Sequence, residues 1–299
     1  MIVLALSLAG CSDDSSGATG GTGGAGGGAG GGGGSGGAGA TGGAGGSGGA
    51  GGGGEIPLRI LVTNDDGFDA EGINAVVEAL ITNPANDVIV CAPDINRSGS
   101  GDMTDCGSLT AFEDETIDGY PATAVDGCPA DAVNYALDNL YPENDPPDVV
   151  LSGINAGQNV GNIGVNGFLS QISGTIGAAK AAARRDVPAL ASSQGDGAGE
   201  TFDFPAGVDE VLTWLTDNRA AIAAGDLPLS TVPSLNIPTC TSGSIRNPLD
   251  PLPVPLATEN PNSFPLSGTQ DCNAMGIDPD TDVNAFFTGY VTLSDVPTD

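Results

Sequence analysis

Two carboxylates stand side by side at Asp65 and Asp66, where the apolar run of "ILVTNDDGFDA" (residues 60–70) stops. Like charges at the end of a buried segment are costly unless a cation or a proton relieves them. Three further polar elements sit in comparable places: Ser98 in "NRSGSGDMTDCGS", Asn155 at the end of "DVVLSGIN", and the Ser173-Gly174-Thr175 opening of "SGTIGAAKAAARR". Two carboxylates, a hydroxyl and an amide oxygen form a hard, all-oxygen donor set. That set suits Mg²⁺, Mn²⁺ or Ca²⁺ rather than zinc or copper. A divalent ion would make Asp65 and Asp66 a ligand pair, not a proton-sharing dyad. A local Asn-Asp-Asp-Gly turn would explain the first motif, but not four polar elements at successive strand ends.

Composition narrows the chemistry further. The chain has no histidine, which excludes Ser-His-Asp and Cys-His hydrolysis, His-ligated zinc and phosphohistidine chemistry within it. Its formal net charge is −31, with seven basic residues against 38 acidic ones. So acidic a surface disfavours nucleic acid polymers and anionic membranes as partners. It also repels phosphate esters unless the site supplies its own positive charge. No G-x-G-x-x-G follows the first apolar run, which counts against a dinucleotide-dependent enzyme.

The elements that must position these groups can be read from the pattern. Residues 59–64 are a strand-length apolar run. A helix follows from about Asp69, its expected N-cap, with Ile73, Val76, Val77 and Leu80 on one face. Residues 87–94 form a second strand stopped by Pro93, and residues 96–108 a polar, glycine-rich loop. Residues 122–125 are a short strand; "CPADAVNYALDNL" is a helix with Pro129 in its first turn and Val133, Ala136, Leu137 and Leu140 facing inward. Strands are expected at 148–155, 187–194 and 231–238, and helices at 173–185 and 208–224. Strands alternating with helices imply an α/β fold: a Rossmann-like, doubly wound, mostly parallel sheet with helices on both faces. In such sheets ligands gather beyond the carboxyl ends of the strands, where the polar groups above lie. Residues 248–255 read as a proline-rich surface excursion, and the last part of "DTDVNAFFTGYVTLSDV" alternates like a strand.

The chain divides into three parts: residues 1–16, 17–54 and 55–299. The first, "MIVLALSLAGCSDDSSG", resembles a bacterial lipoprotein signal in which Cys11 is the lipidated residue, although no basic residue precedes the apolar run. It is too short for a spanning helix. Residues 17–54 are almost only Gly, Ala, Ser and Thr, a disordered linker with a coil reach of roughly 35 Å. An exported, periplasmic or cell-surface lipoprotein is the expected localisation, with contact to the membrane through the lipid anchor only. That compartment permits disulfides. The preferred pairing is Cys106–Cys128 and Cys240–Cys272, leaving Cys91 buried at a strand end; other pairings stay open.

Six blocks, "ILVTNDDG", "APDINRSGSG", "GCPADAV", "SGINAGQNVG", "SGTIGAA" and "DTDVNAFFTGYVTL", occur in the order that marks the SurE family of stationary-phase survival acid phosphatases and nucleotidases. The resemblance spans residues 59–238 and the final strand region. It implies a Rossmann-like domain with a C-terminal extension, often exchanged in a homodimer, and metal-dependent hydrolysis of phosphomonoesters such as nucleoside monophosphates. By the same resemblance Asp65, Asp66, Ser98 and Asn155 fall on the metal ligands, with Asp65 and Asp66 also catalytic. Asn96, Gly99, Asn159, Ser173, Gly174 and Thr175 are the expected substrate-binding residues: amides for the phosphoryl oxygens, glycines for close approach, a helix start for the anion.

Three departures stand out. Asp102 occupies the place where bacterial members commonly have a histidine. Cys128 stands where threonine usually caps a helix, so its thiol has another use, with Cys106 as partner. The loop between Asn155 and Ser173 is long. The missing histidine motivates an alternative, a non-catalytic metal- or phosphate-binding surface lipoprotein that retains the fold.

Overall fold

The computed structural model describes residues 55–162, 172–265 and 268–299. The signal, Cys11, the glycine tract and residues 163–171 lie outside the described residues. Strands and helices alternate as β1 (Leu58–Thr63), α1 (Glu71–Leu80), β2 (Asn86–Pro93), β3 (Ala111–Glu115), β4 (Pro121–Val125), α2 (Pro129–Asn139), β5 (Val149–Ala156), α3 (Gly174–Ala183), β6 (Ala189–Gln194), α4 (Phe204–Ala224) and β7 (Thr231–Ile237). The C-terminal part adds β8 (Cys240–Ser242), β9 (Leu252–Pro253), β10 (Gln270–Asp271), α5 (Asp282–Phe287) and β11 (Thr292–Pro297).

The main sheet runs β3-β4-β2-β1-β5-β6-β7-β11-β9. From β4 to β7 every pairing is parallel, while β3 and β11 lie antiparallel to their neighbours β4 and β7. This is the doubly wound, mostly parallel arrangement that alternating elements imply. The chain leaves β1 toward β2 on one side and returns to β5 on the other. The switch point of the topology is therefore the gap between the ends of β1 and β5.

A sheet covered on both faces needs strands that are apolar on both sides. In β1, Leu58, Ile60 and Val62 enter the core under α1 and α4, while Leu61 enters the core under α2 and α3. β5 repeats the division, with Val149 and Leu151 on the first face and Val150 on the second. Each such side chain contributes about 2 kcal/mol on burial. The predicted face of α1, Ile73, Val76, Val77 and Leu80, is fully buried. In α2, Val133 and Ala136 are buried and Leu137 and Leu140 partly so.

Several local expectations change. The N-cap of α1 is Ala70, not Asp69, and no side chain caps it. α4 begins four residues early because Asp203 accepts a hydrogen bond from the Ala206 N–H, and it stops at Gly225, whose φ of +69° is the left-handed C-terminal geometry glycine favours. β3 was not expected: every residue but Ala111 is exposed, so it carries no buried alternation. The proline-rich stretch is not wholly an excursion, since β9 pairs in parallel with β11.

Both preferred disulfides form: Cys106–Cys128, with Cα atoms 5.2 Å apart, and Cys240–Cys272, at 5.7 Å. Cys91 is free and buried. The first bond gives the thiol of Cys128 its other use. The cap is made in reverse, by the Asp131 carboxylate, which accepts the Cys128 N–H at 2.8 Å.

Candidate active site

The two carboxylates leave β1 between two loops, one following β2 and one following β5. Asp65 is buried (3 % exposed), and its Oδ1 accepts a hydrogen bond from Thr175 Oγ1 at 2.5 Å. Burial, and then the neighbouring Asp66 charge, push its carboxyl up to about 6, against the hydrogen bonds from Thr175. Asp66 is raised by burial as well, while the Ala156 N–H (2.9 Å) and Asn96 Nδ2 (3.1 Å) donate to it and pull the other way. The Ala156 contact ties the end of β1 to the end of β5 across the switch point.

Asp65, Ser98, Asn155 and Ser173 line one cleft of about 210 Å³, together with Gly99, Gly157, Gln158, Asn159, Ile172 and Asp196. Asp66 sits at its edge, bonded to Asn96 and Ala156. The β5–β6 register slips between Ser152 and Asn155, a bulge that re-aims the strand end. Gly153 makes room for it: a β-carbon there would stand 2.4 Å from the Ser192 carbonyl oxygen. Asn155 donates Nδ2 to the Gly157 carbonyl at 2.6 Å, which leaves Oδ1 as a free acceptor among the described residues. The loop carrying Ser98 is seated on α3. A β-carbon on Gly177 would lie 1.9 Å from the Gly101 carbonyl oxygen, so only glycine permits that approach.

The chemistry of this donor set fits a divalent cation. Its oxygens are two ionisable carboxylates held above their ordinary range, with a hydroxyl and an amide oxygen beside them. No cationic side chain can take the ion's place, since each of the seven in the sequence is engaged elsewhere. Arg59 pairs with Asp145 and Asp148, Arg97 with Asp94 and Asp126, Lys180 and Arg184 with Asp102, Arg185 with Asp138 and Arg219 with Glu55. Arg246 lies over Tyr290 and donates to the carbonyls of Cys272 and Ala274.

The expected substrate-binding residues divide. Ser173 lines the cleft while also capping α3 through the Ile176 N–H. Gly99 lines it too, with φ +84° and nothing within 4 Å of its β-carbon position. Gly174, by contrast, is required by Asp65 itself: a β-carbon there would meet Asp65 Cβ at 2.7 Å. Thr175 is fully buried and holds Asp65 rather than facing the cleft. Asn96 orients Asp66 with one amide N–H and accepts the Ser98 N–H, so it is also a support of the site. Asn159 lines the cleft and gives one amide N–H to Ser193 Oγ at 2.8 Å. Asp102 does not line the cleft. Its carboxyl is held low by the hydrogen bond from Arg184 and cannot serve as base or ligand from there. A residue the sequence pattern did not single out is Asp196, two positions past the end of β6 as Asp65 is two past β1. The strand-end rule applied to every strand would have found it.

The sequence and the fold match known proteins. The family profile described as "Survival protein SurE" matches residues 60–249, more than half of the chain. The chain belongs to the SurE family. Among SurE relatives, a protein named "5'-nucleotidase SurE" from Clostridium botulinum is 36% identical over 195 residues, 63% of this chain and 70% of the relative. One of the same name from Porphyromonas gingivalis is 34% identical over 183 residues, 61% of this chain and 66% of the relative. A third, from Brevibacillus brevis, is 41% identical over 138 residues, 46% and 50% of the two chains. The crystal structure of the SurE protein from Aquifex aeolicus aligns with a TM-score of 0.56 at 25% identity, covering 81% of this chain and 94% of that one.

Proposed function

We propose that this chain is a metal-dependent phosphoric monoester hydrolase, a nucleotidase that acts on nucleoside monophosphates and related small phosphate esters. The observation that carries the proposal is the convergence of Asp65, Ser98 and Asn155 on one cleft beside Asp66, in a protein whose cationic side chains are all engaged elsewhere. Asp65, Asp66, Ser98 and Asn155 would hold the ion, Mg²⁺ or Mn²⁺, with Ca²⁺ as a third candidate. Bound there, the cation supplies positive charge for the phosphoryl oxygens and acidifies water.

The chain's own residues do the rest. Thr175 and Ala156 hold the two carboxylates in place before the ion arrives, so little rearrangement remains. Ser173 presents the start of α3, ten residues long, to the cleft, where the helix dipole favours an anion. Gly99 keeps the wall bare for the ester. Export is proposed as well: the two disulfides fit an oxidising compartment, with Cys11 as the lipid anchor and the glycine tract as tether. No described helix is long and apolar enough to cross a membrane. A homodimer through the C-terminal extension is proposed on the family resemblance.

Phosphate release from adenosine 5'-monophosphate and from phenyl phosphate tests the function. Activity should vanish in EDTA and return with Mg²⁺ or Mn²⁺. Tight metal binding with no turnover of any monoester would overturn it.

A further inference from the structure

One wall of the cleft carries a carboxylate outside the proposed ligand set. Asp196 stands there half-buried, and among the described residues its carboxylate accepts no hydrogen bond and pairs with no cation. Its backbone is firmly placed. The Asp196 N–H donates to Gln158 Oε1 at 3.0 Å, on the loop that follows Asn155 and the end of β5. The preceding Gly195 packs so closely on the C-terminal part that a β-carbon would meet Gln270 Oε1 at 2.5 Å and Phe286 at 2.6 Å.

Gly157 spaces Asp196 from the metal side. The position a β-carbon would take on Gly157 is 3.8 Å from both Asn155 Nδ2 and Asp196 Oδ1. With φ +125°, Gly157 is also a position that ordinary side chains avoid, so the gap stays open. A phosphoryl group held beside Asp65 and Asn155 has Asp196 in the same cleft, within reach of the ester's alcohol half. A carboxylate accepts hydrogen bonds and repels anions. Burial, and then Glu200, raise its carboxyl, as expected for an uncompensated group.

We infer that Asp196 reads the alcohol half of the substrate: it accepts hydrogen bonds from sugar hydroxyls and turns away esters that carry a second phosphate. The assignment rests on the phosphomonoesterase reading and names, within it, the residue that distinguishes a sugar monophosphate from a bisphosphate.

The test compares kcat/KM for adenosine 5'-monophosphate, its 2',3'-dideoxy analogue and adenosine 3',5'-bisphosphate, each as a ratio to phenyl phosphate, which has no hydroxyl to read. The wild type should favour the ribose monophosphate about tenfold over either analogue, the scale of one net hydrogen bond. Asp196→Asn, which keeps an acceptor but no charge, should relieve the bisphosphate penalty about tenfold. Asp196→Ala should also erase the preference for ribose. Unchanged ratios in both variants would overturn the assignment. The same ligands are compared as dissociation constants by calorimetry with Mg²⁺ present. If nothing turns over, the hydrolase reading fails alone, and equal affinities for monophosphate and bisphosphate in the wild type would overturn this assignment as well.

Discussion

The two loops that meet at the cleft are anchored by opposite means. The loop after β2 packs almost nothing apolar, and Ile95, Met103 and Leu109 are exposed. It is held instead by the Cys106–Cys128 bond, by Asp131 accepting the N–H groups of Asp105 and Cys106, and by Arg97 between Asp94 and Asp126. The loop after β5 is held by buried polar contacts. Asn159 bonds Ser193 and Asn236, Gly161 bonds Asp282, and Val160 packs with Phe286 and Phe287. A loop at the surface cannot bury enough to fix itself, so a covalent link does the work. One that lies under the C-terminal part can use ordinary packing and hydrogen bonds. The loop after β2 brings Ser98 and the end of β5 presents Asn155, beside carboxylates at the end of β1 of which Asp66 is bonded to Asn96 and Ala156.

That asymmetry sets the order of effects. Asp66→Ala, or Asp65→Asn, should lower metal-dependent kcat/KM by on the order of a thousandfold, since the strand-end pair is the charged half of the site. Variants that keep a tenth of the activity would mean that the loops, not β1, hold the ion.

Next come the anchors themselves. Asp282 accepts N–H groups from Gly161, Ala257 and Val283, so Asp282→Ala strands three buried donors and should cost about 4 kcal/mol in urea unfolding. Replacing Cys106 and Cys128 by serine should cost about 3 kcal/mol, the chain-entropy value for a bridge of this span. If the disulfide proved the costlier loss, the contrast between the loops would be reversed.

The pH dependence is smaller. Asp65 is pushed up to about 6 from an ordinary 3.8, so between those values the folded protein holds a proton that the unfolded chain has lost. The stability this contributes is full below about pH 4 and is lost as pH rises through 6. Chelated protein should therefore become less stable from pH 4 to pH 7, by on the order of 2 kcal/mol. Added metal should shrink the decline, because the ion replaces the proton. Asp65→Asn should shrink it too, what remains coming from Asp66, Asp196, Glu210 and Asp282, whose carboxyls burial also raises; a decline of unchanged size in that variant assigns it elsewhere. The smallest effect is expected at Asp102, ion-paired with Arg184 and Lys180 outside the cleft. Asp102→Asn should change stability by under about 1 kcal/mol and kcat/KM by less than about twofold. A large loss of activity would return Asp102 to the chemistry.

What could be read along the chain was whatever adjacent residues settle among themselves. Apolar runs that end in Asp65, Asp66 or Asn155 declare both the strand and the polar group beyond it. The face of α1 follows from spacing alone. What could not are contacts between distant parts of the chain. The hydroxyl of Thr175, at a helix start expected to offer backbone N–H groups to an anion, has a role the sequence does not show: its partner is Asp65, 110 residues away. Asn96 also gives one amide N–H to Asp66, 30 residues earlier, a contact the sequence does not show. β3, exposed along nearly all its length, gave no alternation to read.

By itself the sequence determined the alternation of strands and helices, and with it a parallel sheet whose strand ends gather the polar groups. Periodicity and strand-end chemistry are local, and they survive in any fold that buries those faces. Only the tertiary structure decided which polar groups share the cleft and which merely support it. That choice depends on partners brought together by the switch point between β1 and β5, and on glycines whose missing side chains let the loops close. It also brought Asp196 to the wall, through packing of Gly195 on residues more than 70 positions away.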